Sequence, residues 1–223
     1  MTDAHELSPL PHSFYARPTL DVARALIGKT LARRTADGLT AGIIVETEAY
    51  IAAIDPAAHG YKGQTPRNAA MFGPPGHAYI YVSYGMHHCL NVVTEGEGIA
   101  AAVLLRALEP TVGLDLMRLR RGPRITDRDL ARGPGRLCAA LALTLAENDA
   151  DLCGDALWIA ETPGFSADAR IVATPRIGIS QAADWPWRFL LAGNSWVSGR
   201  KMLRGDVTKS AETPNRPKDR GAK

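Results

Sequence analysis

The chain has 223 residues, with 26 Lys and Arg against 23 Asp and Glu for a net charge of +3, a length that suits one domain with short tails. It holds no run of ~18 apolar residues that would read as a transmembrane helix, and the opening MTDAHELSPLPHSFYARP lacks the charged and apolar regions of a secretory signal. Its cysteines, Cys89, Cys138 and Cys153, are odd in number and far apart, which argues against a disulfide framework or a Cys-rich zinc site and for a reduced, cytoplasmic protein.

Residues 1–13 are polar and contain proline, as a flexible N-terminal segment does. TLDVARALI, Thr19 to Ile27, has helical spacing, with Thr19 as its expected cap and Gly28 as its stop. A short strand is expected at Leu31–Arg34, a hairpin turn at Asp37-Gly38, and a second strand from Leu39 to Tyr50. Side chains two apart in a strand share a face, so Glu46, Glu48 and Tyr50 project together. Two carboxylates on one face are either both solvated or gathered at the floor of a cleft.

Residues 51–76 read as a long loop broken by Asp55-Pro56, Gly60, Gly63, Thr65-Pro66 and Gly73 to Gly76, and loops of that length are usually functional or disordered. Its alanines, Met71 and Phe72 predict that it packs. A meander follows: strand Ala78–Ser83, turn Tyr84–His87, strand Cys89–Thr94, turn Glu95–Gly98 and an apolar strand Ile99–Leu108. Arg106, near the end of that apolar strand, calls for a carboxylate partner.

Helices are expected at Thr111–Arg121 and, opened by Gly133-Pro134-Gly135, at Arg136–Leu145. Ala156–Glu161 and Arg170–Ala173 read as strands, Arg176–Ser180 as a stretch that lines the site, and Trp185 to Phe189 as a core cluster. The tail from Arg204 to Lys223 has six basic and three acidic residues, so the body is close to neutral and any nucleic-acid footprint is local. Residues 14–203 form the expected single domain, with 204–223 as a basic polar tail.

The chemistry narrows by what is missing. No phosphate-binding glycine pattern and no nucleophile elbow occurs. His87 and His88 are adjacent and point to opposite faces of a strand, and His59 and His77 have no ligand spacing, so no metal and no cofactor is expected. What remains is carboxylate chemistry among tyrosines. It suits hydrolysis of an O-glycosidic bond by paired carboxylates. It also suits hydrolysis of an N-glycosidic bond in a nucleotide, where aromatic rings hold the base. The tyrosines favour the second, since base faces stack well on phenol rings; composition does not separate the two further, nor Glu46 from Glu48.

VETEAY, the AAH ending nine residues after Tyr50, QTPRN, YIYVSYGM with its following Asn91, and LLRALEP occur in one order over Phe14 to Ser198, with DRDLARGPGRLC, RIGI and WVS behind them. In this order they resemble the alkyladenine DNA glycosylase family. The resemblance implies a mixed α+β domain with a curved antiparallel sheet flanked by helices. It implies a monomeric, monofunctional DNA repair enzyme without lyase activity or cofactor. Such an enzyme flips alkylated or deaminated purines (3-methyladenine, 7-methylguanine, hypoxanthine, ethenoadenine) out of double-stranded DNA. A non-catalytic nucleic-acid-binding module on the same fold is the alternative.

Carried over by position, the resemblance implies that Glu48 activates water and Arg106 helps to hold that water. Tyr50 and Tyr81 become pocket walls, and His59 stacks on and hydrogen-bonds the base. Asn91 crowds the 2-amino group of normal guanine, the Ile177 carbonyl helps to hold the water, and Tyr84 intercalates in the space the base leaves. The chain departs from the family pattern in a shorter loop between His59 and Gln64, and in His87-His88 in place of aromatic residues.

Overall fold

The computed structural model describes residues 7–166 and 169–199. The basic tail lies outside the described residues. No helix among them is long and apolar enough to cross a membrane.

The sheet is built on one strand. In chain order the elements are α1 (His12–Tyr15), α2 (Thr19–Ala25), β1 (Thr30–Thr35), β2 (Gly38–Ile51), β3 (Ala78–Ser83), β4 (His87–Val93), β5 (Ala101–Val112), α3 (Leu114–Arg121), α4 (Pro134–Ala140), β6 (Leu157–Ala160), β7 (Ile171–Thr174) and β8 (Arg188–Leu191). They make a mixed α/β domain around a curved, eight-stranded antiparallel sheet, ordered β3-β4-β5-β2-β1-β6. One edge of β2 pairs with β5 from Ala41 to Ile51. Its other edge pairs first with β1 and then, over Glu46–Glu48, with β8, which also carries β7. The carboxylate stretch of β2 is thus central to the sheet, with no free edge.

β2 has one face on the helices. Thr47 Oγ1 donates to the Ala23 carbonyl of α2 at 2.8 Å, and Ile44 and Ala49 join Val22, Leu26, Leu105, Leu108, Met117 and Leu137 in the main core. Each of the larger of these side chains, fully buried, contributes roughly 1.5–3 kcal/mol. A smaller core of Ala52, Ala58, Met71, Tyr79, Val93, Ala100 and Ala102 lies under the long loop, so that loop does pack. Asn68 fixes its bend, accepting from Thr65 N at 2.6 Å and donating to the carbonyls of His59 and Gly63.

Several expected boundaries move. Thr19 is the first residue of α2 rather than its cap, and its hydroxyl donates to Glu95 at 2.6 Å. Residues 7–13 are tied down, with Leu10 N donating to the Ile159 carbonyl. Thr111 and Val112 finish β5 instead of opening α3. Pro110 sits there at a register shift against β2, where its missing N–H costs little. Gly113 then turns the chain at φ 71, so close to β2 that a Cβ would stand 2.3 Å from the Leu39 carbonyl oxygen. The second helix stops at Ala140, because Ala142 turns at φ 53 and Leu143 N bonds back to the Cys138 carbonyl.

Candidate active site

The common face of Glu46, Glu48 and Tyr50 lies opposite Thr47, and all three side chains are drawn to one place. Register shifts between Ile44 and Glu46 and between Glu46 and Thr47 pair Ala107 with Glu46 and Leu105 with Thr47. Arg106 is left opposite no β2 residue, and a bulge of this kind re-aims a side chain. Its guanidinium reaches both glutamates: Nε donates to Glu46 Oε1 at 2.9 Å and Nη1 to Glu48 Oε2 at 3.2 Å. Arg106 thus has its carboxylate partner twice over, and both glutamates are buried rather than solvated.

Their surroundings separate them. Glu46 is saturated: it also accepts from Arg188 Nε at 2.7 Å, from Ser198 N at 2.6 Å and from Ser198 Oγ at 3.0 Å. The partners of Glu48 border a cavity. Oε2 accepts from the Tyr50 hydroxyl at 2.9 Å, and Oε1 from the Ile177 backbone N–H at 2.7 Å.

That cavity holds about 320 Å³ and is lined by Tyr50, His59, Tyr81, Asn91, Arg106 and Ile177, with Tyr84 at its margin. The volume falls at the lower end of the ~300–1,000 Å³ usual for small-ligand sites. Glu48 has no exposed surface and does not line the cavity; it sits behind Tyr50, Arg106 and Ile177. Among the residues given a role by the resemblance, Glu48 alone is withdrawn behind the wall. The expected use of Ile177 was its carbonyl, whereas the bond present is made by its N–H.

The wall is aromatic and neutral. His59 Nδ1 bonds the Tyr79 hydroxyl at 2.8 Å, and its ring stands edge-on to Tyr81 with centroids 4.4 Å apart. Burial pushes the Tyr81 phenol well up. Burial does the same to Tyr50, with the Glu48 charge adding to it, and moves Tyr79 up to about 12. Burial, then the Arg67 charge, lower the His59 pKa from 6.5, which favours the neutral ring. Burial works against the Arg106 charge, but Glu48 and Glu46 outweigh it and hold that pKa above its ordinary value. Asn91 Nδ2 donates to the Tyr79 carbonyl at 2.9 Å, which fixes the amide against β3.

Tyr84 stands apart. Met86 N donates to the Ser83 carbonyl, and Tyr84 and Gly85 take φ 50 and 71. Ser83 pairs with His87 across the hairpin, so Tyr84–Met86 form a three-residue loop, and its first two residues turn the chain with positive φ. A tyrosine pays steric strain for that conformation, and its ring is 89% exposed at the tip.

The sequence reading missed three members of this region. Tyr79 was legible as the strand neighbour of Tyr81 two residues away; Arg188 and Asp55 were not. Of the Arg176–Ser180 stretch expected to line the site, Ile177, Gly178 and Ile179 do, and Arg176 does not. Arg176 makes a two-bond pair with Asp55 at 2.5 and 2.9 Å, both side chains fully buried. Among the described residues, the one group of potential metal ligands is His12, Asp151 and Cys153, none of which lines the cavity.

Comparison with known proteins follows this geometry. The sequence profile of methylpurine-DNA glycosylases matches residues 13–195. A Burkholderia lata protein named "Putative 3-methyladenine DNA glycosylase" is 51% identical over 85% of this chain and 91% of its own length. Proteins of the same name from Methanocella arvoryzae and Rhodopseudomonas palustris are 49% and 52% identical. They cover 89% and 87% of this chain, and 98% and 94% of their own lengths.

Proposed function

Because the chain belongs to the methylpurine-DNA glycosylase family, we propose that it releases damaged purines from duplex DNA by hydrolysing the N-glycosidic bond. Its relatives' name supports 3-methyladenine as a substrate; 7-methylguanine, hypoxanthine and ethenoadenine complete the proposed range. The observation that carries the reading is the carboxylate of Glu48, held by Arg106, Tyr50 and Ile177 at the back of an aromatic cavity whose margin bears the exposed Tyr84.

In the proposed sequence Tyr84 enters the stack as the damaged nucleotide leaves it. Flipping costs a few kcal/mol and less at a weakened pair. Tyr50, His59 and Tyr81 take up the base. Electron-rich ring faces attract a purine made cationic by alkylation, at roughly 0.5–2 kcal/mol each. With the base in place, water reaches Glu48 between Tyr50 and Ile177, which keep their bonds to the carboxylate. The water oxygen bonds to C1′ of the sugar and gives a proton to the Glu48 carboxylate. The C1′–N9 bond breaks with its electron pair going to the purine, which leaves neutral if it was cationic. Among the described residues no lysine lines the cavity, which supports hydrolysis by water without a covalent sugar adduct and hence without lyase activity. All of these side chains come from one chain, so a monomer suffices.

The sealed position of Glu48 is the one observation that favours a module that binds DNA without chemistry. A single assay decides: release of free base, in EDTA, from a duplex with one hypoxanthine or ethenoadenine, and from a methylated duplex. Release by the wild type and not by Glu48→Gln, with strand breaks only after alkali, is expected. No release from any of these by folded wild type overturns the proposal.

A further inference from the structure

The Asp55–Arg176 pair is a buried polar feature that the proposed reaction leaves unused. Arg176 Nη1 also donates to the Ala49 carbonyl at 2.9 Å, between Glu48 and Tyr50 on β2. Its guanidinium carbon lies 4.6 Å from the centroid of the Tyr50 ring and 5.3 Å from that of Trp187. Asp55 is itself braced, since Oδ1 accepts from Ala57 N at 3.0 Å, two residues before His59. The next residue after Arg176 is Ile177, whose N–H holds Glu48. One guanidinium therefore touches the strand that carries Glu48, the ring whose hydroxyl bonds Glu48, and the segment whose amide bonds Glu48. Arg176 does not line the cavity, so it covers Tyr50 from the protein side.

A buried ion pair is a weak device for stability, because desolvation offsets its attraction. Its geometry is better suited to holding groups in place. The charge matters too. A bare cation behind an aromatic ring draws on the same quadrupole that would attract a cation in front of it. The Asp55 carboxylate cancels that charge at the site.

We propose that Asp55 and Arg176 are positioning residues for the reaction: they hold Tyr50 and Ile177 against Glu48, and their mutual neutrality leaves the cavity face of Tyr50 free to attract a cationic purine. The inference rests on the glycosylase reading above and deepens it. It makes the discrimination between cationic and neutral lesions depend on a pair that never meets the substrate.

The test compares wild type with Arg176→Lys, Asp55→Asn and the double variant Asp55→Asn/Arg176→Gln. Folding is followed by circular dichroism. Duplex binding and single-turnover release are measured on a hypoxanthine duplex for the neutral base, and on a dimethyl sulfate-treated duplex for cationic ones. Arg176→Lys keeps the charge but not the planar fork. It is expected to slow release of both bases by about tenfold to a hundredfold with binding changed far less, as misplaced reacting groups do. Asp55→Asn exposes the ring to an uncancelled cation, and the ratio of cationic to neutral release falls by about threefold to thirtyfold. The double variant removes that cation and recovers the ratio without recovering the rate.

Equal losses on both lesions in Asp55→Asn, or an Arg176→Lys protein as fast as wild type, overturn the inference. If Asp55→Asn does not fold, the double variant and Arg176→Lys decide by the same two readouts. A wild type that releases neither base refutes the glycosylase reading itself, a result distinct from either.

Discussion

Replacing Glu46 and Glu48 in turn by glutamine separates a structural carboxylate from a chemical one. Among the described residues, Glu46 is the one carboxylate that Arg188 contacts; its guanidinium also donates to the Thr174 hydroxyl and the Ser198 carbonyl. Glu46→Gln therefore strands a buried guanidinium, which costs about 3–5 kcal/mol. At 2–4 °C per kcal/mol for a chain of this size, the melting temperature falls by about 6–20 °C. Glu48→Gln leaves Arg106 still paired with Glu46; with the amide oxygen kept toward Arg106 and Tyr50 it loses the bond from Ile177 N–H outright, at about 1.5–3 kcal/mol. Base release goes the other way. Assayed well below its melting point, Glu46→Gln keeps release within about tenfold, whereas Glu48→Gln loses at least the ~100- to 10,000-fold that a positioned base contributes. Thermal melts and single-turnover release on the same preparations give both numbers. A Glu48→Gln protein that still releases base, beside a folded Glu46→Gln protein that does not, refutes the assignment.

Tyr84→Gly relieves the strain at the hairpin tip and raises stability by about 0.5–1 kcal/mol in denaturant titration, while single-turnover release from duplex drops; unchanged release removes Tyr84 from the mechanism. An NMR titration of His59 is expected to give a midpoint below 6.5, because burial and the Arg67 charge disfavour the imidazolium. Arg67→Ala moves that midpoint up, and a wild-type midpoint at or above 6.5 refutes the assigned environment. Gly60→Ala would place a Cβ 2.6 Å from the Ala100 Cβ and 3.0 Å from the Ala52 Cβ. Overpacking of this kind costs about 1–3 kcal/mol, and because it displaces the loop next to His59, release should suffer more than the melting temperature does.

What the sequence revealed follows from local rules. Period-two alternation put Glu46, Glu48 and Tyr50 on one face, and they do converge there, because β2 alternates without a break from Glu46 to Tyr50; the shift that leaves Val45 without a β5 partner lies before them. The demand of Arg106 for a carboxylate came from its place in an apolar strand. The bulge that aims Arg106 between two glutamates depends on how β5 and β2 register, and neither strand declares that alone. Asp55 and Arg176 lie 121 residues apart, one in a polar loop and one at the start of the Arg176–Ser180 stretch, and no local pattern pairs them. Arg188 was hidden inside an aromatic run that reads as core, and Trp187 and Phe189 are core. The helix ends slipped because positive-φ turns at Gly113 and Ala142, rather than composition, decide where the chain can stay helical.

The floor of the cavity raises a final point about selectivity. Glu46, Glu48 and Asp55 face Arg106, Arg188 and Arg176 in one buried set, three negative charges against three positive. A net positive floor would repel an alkylated, cationic purine, and a net negative one would hold any cation that entered, damaged or not. A balanced floor leaves the choice to the walls. There, ring faces favour a cationic or well-stacked base only at contact distance, and nothing pulls from afar. Long-range attraction to DNA must then come from elsewhere on the surface, where counterion release makes it salt-dependent. Raising salt should accordingly weaken duplex binding steeply, while the rate of release from the bound complex stays nearly constant. A bound-state rate that falls with salt as steeply as affinity does would show that the floor is not balanced.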